Sequence, residues 1–117
     1  EIKREAAGSG TIISAEGHVL TNHHVAGRTR TLMCTLADRE EVPADLVGTD
    51  PLSDIAIIKL RPPKPRTFPV ARFGDASRLK VGDPVMALGS PLALSSANRG
   101  GGVCSRFTFL RLSTSGL

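Results

Sequence analysis

Gly10-Thr11-Ile12-Ile13-Ser14-Ala15-Glu16-Gly17-His18-Val19-Leu20-Thr21-Asn22 holds two short runs rich in apolar and β-branched residues, separated by a Glu-Gly turn. That pattern predicts a β-hairpin. Downstream, Thr31 to Leu36 alternates, with Leu32, Cys34 and Leu36 on one face and Thr31, Met33 and Thr35 on the other. Alternation of period two marks a half-buried strand. Val42 to Thr49 is a weaker candidate, because Pro43 cannot donate in a central ladder and points to an edge or a bulge. Asp54-Ile55-Ala56-Ile57-Ile58-Lys59-Leu60 is the most apolar segment, with Ile55 and Ile57 on one face and Ala56, Ile58 and Leu60 on the other. Apolar residues on both faces predict a central strand covered on both sides.

Arg61-Pro62-Pro63-Lys64-Pro65-Arg66 then reads as a stiff surface loop whose charges keep it in water. Val81-Gly82-Asp83-Pro84 is a turn, and Val85-Met86-Ala87-Leu88 a strand ending at Gly89-Ser90-Pro91. Short strands at such spacing, with no sustained helical period, predict an all-β chain forming a small antiparallel β-barrel. The 117 residues suffice for one modest core, and with no Trp, no Tyr and four Phe that core must be built from Val, Ile, Leu and Ala. After Ser95 the composition shifts: residues 96–117 carry no acid, and only Phe107 to Leu112 has strand character. Gly100-Gly101-Gly102 lacks the Lys-Ser/Thr of a phosphate loop and reads as a linker. The expected organisation is a lobe over 1–95 and an atypical, flexible or spurious tail over 96–117.

The net charge of +4 divides unevenly along the chain. Residues 1–95 hold 12 Lys+Arg against 11 Asp+Glu, and residues 96–117 hold Arg99, Arg106 and Arg111 with no acid. A nearly neutral body with few aromatic residues argues against nucleic-acid binding. Cys34 and Cys104 form no CxxC pair and no disulfide framework, and free, partly buried thiols are expected. No apolar run reaches membrane-spanning length, and Glu1-Ile2-Lys3-Arg4-Glu5 is no signal peptide. The chain starts without Met, as a processed or excerpted chain would.

Three ordered blocks carry the chemistry. The first is Gly8-Ser9-Gly10-Thr11-Ile12-Ile13 followed by Gly17-His18-Val19-Leu20-Thr21-Asn22-His23-His24-Val25. The second is Asp50-Pro51-Leu52-Ser53-Asp54-Ile55-Ala56-Ile57-Ile58-Lys59. The third is Phe73-Gly74-Asp75-Ala76-Ser77, continuing through Leu79-Lys80-Val81-Gly82-Asp83-Pro84-Val85 to Leu88-Gly89-Ser90-Pro91. Together, over about residues 8–95, they resemble the HtrA/Deg-type trypsin-like serine proteases. The resemblance implies the N-terminal lobe of a two-barrel chymotrypsin-like fold. It assigns the general base to His24, which precedes Val25 in the Thr-Asn-x-His-Val pattern, and the orienting carboxylate to Asp54. It implies a serine-type endopeptidase acting on unfolded or misfolded protein substrates, with no cofactor, in an extracytoplasmic compartment (periplasm or cell envelope). Homo-oligomeric, trimeric assembly and a C-terminal PDZ domain are common in the family's full-length members.

One part of that pattern is missing. The family's nucleophile lies in Gly-Asn-Ser-Gly-Gly or a close variant, and no such sequence occurs here. Ser115-Gly116 lacks the preceding Gly, and Gly8-Ser9-Gly10 belongs to the first strand. The chain alone is therefore expected to be inactive.

The other candidates are weaker. His18 reads as a solvent-facing turn residue. His23 and His24 are neighbours, so in extended backbone their side chains would point opposite ways and only one could face Asp54. A zinc site from these histidines and Cys34 has no supporting ligand spacing. Asp50, before Pro51, favours a turn, and Cys34 reads as a small core residue rather than a nucleophile. The alternative function is a non-catalytic pseudoprotease or protein-binding β-barrel module. Retention of both His24 and Asp54 weighs against it.

Overall fold

Strands β1 (Arg4–Ile12) and β2 (His18–Thr21) form the expected hairpin, with Thr11 opposite Leu20 and Ile12 opposite Val19. The computed structural model that places them describes residues 4–27, 29–86 and 109–116. The Gly17 N–H closes the turn on the Ser14 carbonyl at 3.1 Å, and Gly17 takes φ 105°, where an L side chain would be strained. A helical turn α1 (His23–Ala26) follows, then β3 (Thr29–Thr35), β4 (Glu41–Asp50) and β5 (Ile55–Leu60). After a 3-10 turn at Ala76–Arg78 comes β6 (Phe109–Gly116). The strands close an antiparallel barrel in the order β1-β2-β5-β4-β3-β6, so the fold is all-β.

Period two sets the inside of the barrel. Leu32 and Cys34 from β3, Val42 and Ala44 from β4, and Ala56, Ile58 and Leu60 from β5 point inward with Ile12 and Val19. Leu36, just past β3, is buried as the alternation predicts. Fully burying residues of the size of Ile58 or Leu60 stabilises the fold by about 1.5–3 kcal/mol each. Phe68 is buried against the β1–β2 turn, its N–H bonded to the Ala15 carbonyl at 3.0 Å and its ring against Gly17. The buried Thr21 hydroxyl donates to the Ser9 carbonyl at 2.9 Å, so its burial leaves no unmet donor.

Two strand expectations change. β4 is paired on both sides, by β3 and by β5, and its irregularity lies between Leu46 and Gly48 rather than at Pro43. Pro43 is tolerated because its carbonyl faces Arg61, whose N–H donates to it at 2.7 Å, just past the end of β5. A residue's N and C=O point the same way in a strand, so the missing proline N–H faces the same strand end, where the β5 ladder has run out. β5 is central in its ladder but covered on one face only: Ile55 is 45% exposed and Ile57 half-buried, while Ala56, Ile58 and Leu60 are buried. A barrel has one inside, so its outer face stays at the surface even in a strand with two neighbours.

The polyproline-like loop 61–66 lies at the surface, where Arg66 pairs with Glu40 and stacks on Phe68 at 4.8 Å. The turn at 81–84 forms as read, with Gly82 at φ 98° and Asp83 N–H on the Lys80 carbonyl at 3.0 Å. Val85 and Met86 stand exposed and in no strand, and the rest of the strand expected at 85–88 lies outside the described residues. So do the 95/96 boundary, Gly100-Gly101-Gly102 and Cys104. Within the segment set apart at 96–117, β6 inserts between β1 and β3, placing Leu110 opposite Gly10 and Leu112 opposite both Gly8 and Cys34.

Candidate functional site

The site sits where β2 leaves the barrel and β5 enters it. After Thr21 the chain turns into α1, whose Val25 and Ala26 are buried and anchor it on the core. Gly8 makes room for this: a Cβ there would lie 2.6 and 2.7 Å from the two γ-carbons of Val25. Val25 and Ala26 N–H groups both bond the Asn22 carbonyl at 3.1 Å, and Gly27 N–H bonds that of His23 at 2.7 Å. With one side of the turn buried, His23 and His24 are left on its outer side.

Asp54 is delivered from the opposite direction. In the turn before β5, the Asp50 carboxylate accepts from Leu52 N–H at 3.1 Å and from the Ser53 hydroxyl at 2.8 Å. Asp50 thus shapes the turn, as Asp-Pro suggested, and takes no part beside His24. Asp54 itself has φ 58°, in the left-handed region. From there one carboxylate oxygen accepts the His24 backbone N–H at 2.8 Å, and the other meets His24 Nδ1 at 2.6 Å. The His24 N–H first, and then its ring, hold the Asp54 carboxyl below the usual aspartate range. An ionised carboxylate only accepts, so Nδ1 carries the proton and Nε2 presents the lone pair.

The structure therefore brings together the two residues that the sequence singled out, and separates the rest. His23 and His24 occupy a helical turn rather than extended backbone, and their rings meet different partners. His23 Nδ1 bonds the Thr49 hydroxyl at 2.6 Å, and that hydroxyl donates to the Ile55 carbonyl at 3.3 Å. Gly27 leaves no room for a Cβ against the His23 ring. His18 is half-buried on β2 and bonded through Nδ1 to the Ser14 hydroxyl at 2.7 Å. Cys34 is fully buried in the core, and burial pushes its thiol up to about 12. Among the described residues no cluster of His, Cys, Asp and Glu suits a metal ion. No helix among them is long and apolar enough to cross a membrane.

Both partners reach solvent: the Asp54 side chain is 43% and that of His24 68% exposed. Asn22 and Thr49 were not singled out by sequence, although both hold the segments that carry the pair. Asn22 Nδ2 donates to the Asp54 carbonyl at 3.0 Å, beside the His23 N–H at 3.1 Å. Its place two residues before His24, in Thr-Asn-x-His-Val, was the available signal.

Known proteins resemble this chain over most of its length. The trypsin-like peptidase domain family matches residues 8–115. A probable periplasmic serine endoprotease DegP-like of Pseudomonas putida strain GB-1 is 45% identical over 87 residues, covering 74% of this chain and 18% of the relative. A protein of the same name from Ectopseudomonas mendocina is 40% identical over 102 residues, covering 87% of this chain and 21% of its own length. One from Brucella suis biovar 1 is 41% identical over 101 residues, 86% of this chain and 20% of that protein. The chain spans about a fifth of the length of these curated relatives.

Proposed function

Because the chain belongs to the trypsin-like peptidase domain family, a family of serine proteases, we propose that it supplies the base and the orienting carboxylate of an endopeptidase. His24 is the base and Asp54 the carboxylate, and unfolded or damaged proteins are the substrates. The observation that carries this is the two-point grip of Asp54 on His24, through the backbone N–H and Nδ1. A bond to Nδ1 alone would let the ring swing, whereas two bonds to one residue fix carboxylate and imidazole together. In the reaction His24 Nε2 takes the proton of a serine hydroxyl as its oxygen attacks the scissile carbonyl. It then returns the proton to the leaving amine, while Asp54 stabilises the imidazolium.

The serine belongs to a Gly-x-Ser-Gly-Gly segment outside these 117 residues, so the chain alone does not turn over substrate. Composition sets an atypical segment at 96–117 apart from the lobe over 1–95, and β6 is the part of that segment that joins the barrel. The relatives' names read periplasmic, which supports an extracytoplasmic location, and trimeric assembly belongs to the full-length protein.

The test has two arms. The purified chain, incubated with unfolded casein and a fluorophosphonate, should show neither cleavage nor labelled serine. A chain completed with the family's second lobe should show both. In that protein His24→Ala should remove activity by several orders of magnitude, Asp54→Asn should be similarly severe, and His23→Ala should leave most of it. Equal losses at His23 and His24 would refute the assignment. A completed chain that binds casein without reacting would make the protein a binding barrel.

A further inference from the structure

We propose that Asn22 is a positioning residue for the His24–Asp54 pair, its side-chain amide holding Asp54 in the left-handed conformation from which both carboxylate oxygens reach His24. The proposal rests on the roles just assigned to His24 and Asp54. Asn22 is the N-cap of α1, with φ −100° and ψ 149°, yet its side chain caps nothing there. An N-cap Asn ordinarily accepts an N–H from its own first turn. Here the first-turn N–H of His24 is taken by Asp54 instead, at 2.8 Å, while Asn22 Nδ2 donates to the Asp54 carbonyl at 3.0 Å. The two residues have exchanged tasks: Asp54 caps the turn, and Asn22 holds Asp54.

The exchange explains how Asp54 stays at φ 58°. Asp tolerates the left-handed region better than most residues, but it persists there only when its surroundings over-determine it. The Asp54 carbonyl has two lone pairs, and both find donors: the His23 N–H at 3.1 Å and the Asn22 amide. The His23 bond is made by backbone and does not depend on the side chain at position 22. The Asn22 bond does, and among the described residues it fixes the carbonyl from a second direction.

Asn22→Asp separates this role from plain stability. Aspartate has the same shape and caps helices at least as well, but it offers the Asp54 carbonyl no donor, and its own oxygens compete for the His24 N–H. Asn22→Ala removes donor and cap capacity together. The measurement is the downfield proton NMR resonance of His24 Nδ1–H in the 117-residue chain, identified by its loss in His24→Ala and its displacement in Asp54→Asn. In both Asn22 variants that resonance should move upfield and exchange faster with water. The methyl signals of Val19 and Ile58 should stay in place, and Asn22→Asp should melt no lower than Asn22→Ala. Should Asn22→Ala fail to fold, Asn22→Asp still reads the pair. An unchanged resonance in a folded Asn22→Asp chain overturns the proposal. Absence of any Asp54-dependent His24 resonance in the unsubstituted chain overturns the pair itself, and the proposal with it.

Discussion

Gly8 and Val25 lie so close that a Cβ on Gly8 would fall 2.6 and 2.7 Å from the two γ-carbons of Val25. Val25 is 6% exposed and immediately follows His24. The seat of the helical turn, and so the position of His24, is therefore set by a strand residue that touches no reacting group.

Gly8→Ala should push α1 off β1 and destabilise the chain by about 1–3 kcal/mol, the usual cost of overpacking a filled site. The contact is with a β-branched, buried side chain, which has little freedom to turn away. Denaturant unfolding of the variant checks the magnitude. A midpoint equal to that of the unsubstituted chain would mean that α1 is not seated on β1.

Acid should destabilise the chain, and Asp54 should be part of the reason. The His24 N–H and ring hold its carboxyl below the usual range, and hydrogen bonds from Ser53 and Leu52 do the same for Asp50. Hydrogen bonds from Ser77 act likewise on Asp75. A depressed folded-state pKa contributes stability that is present above the unfolded value, about 3.9 for Asp, and is lost as pH falls through the folded value. Unfolding midpoints should thus decline as pH drops from about 5 toward about 2. Asp54→Asn should lower the plateau and flatten the decline. An equally steep decline in that variant would show that Asp54 contributes nothing to the acid response.

Cys34 should be inert in the native chain. It is fully buried, and with its thiol pushed up to about 12 it carries almost no thiolate at neutral pH. In a Cys104→Ser background, alkylation of Cys34 should run at least ~100-fold slower than in denaturant, and track global opening of the barrel. Rapid native labelling would place Cys34 outside the core.

Much of this was legible in the residues, for reasons that also mark where legibility ends. Leu32, Cys34 and Leu36 alternate with Thr31, Met33 and Thr35, and that alternation marks a strand with one buried face. The hairpin was readable because Gly17 occupies the position where φ turns positive. The pairing of His24 with Asp54 was readable only through the pattern around them, since thirty residues of sequence separate two side chains that touch. Pro43 misled because its cost depends on where β5 stops, which no local rule contains. Ile55 and Ile57 misled because an apolar outer face looks the same in sequence as a buried one. Asn22 escaped because its residue type suits the N-cap so well that a second task across space left no separate mark.

The last prediction concerns β6, whose segment has a composition unlike that of the rest of the chain. β1 pairs with β2 only through Thr11 and Ile12, whereas residues 4–10 find their partners on β6. β3 depends on β6 along its other edge, from Thr29 to Thr35. Deleting residues 96–117 should therefore open the barrel between β1 and β3 and leave two unpaired strand edges, each a template for another chain. Amide protons of residues 4–10 should lose their protection, while those of Val19 and Ile58, whose strands keep their partners, should retain more of theirs. The truncated chain should self-associate at concentrations where the 117-residue chain is monomeric, and the shift should show in size-exclusion elution. The opposite result is equally informative. A truncated chain that stays monomeric, with the same melting temperature and the same protection in 4–10, would mean that β6 contributes nothing to the barrel. The shift in composition after Ser95 would then mark the end of the lobe, with 96–117 an appendage to it.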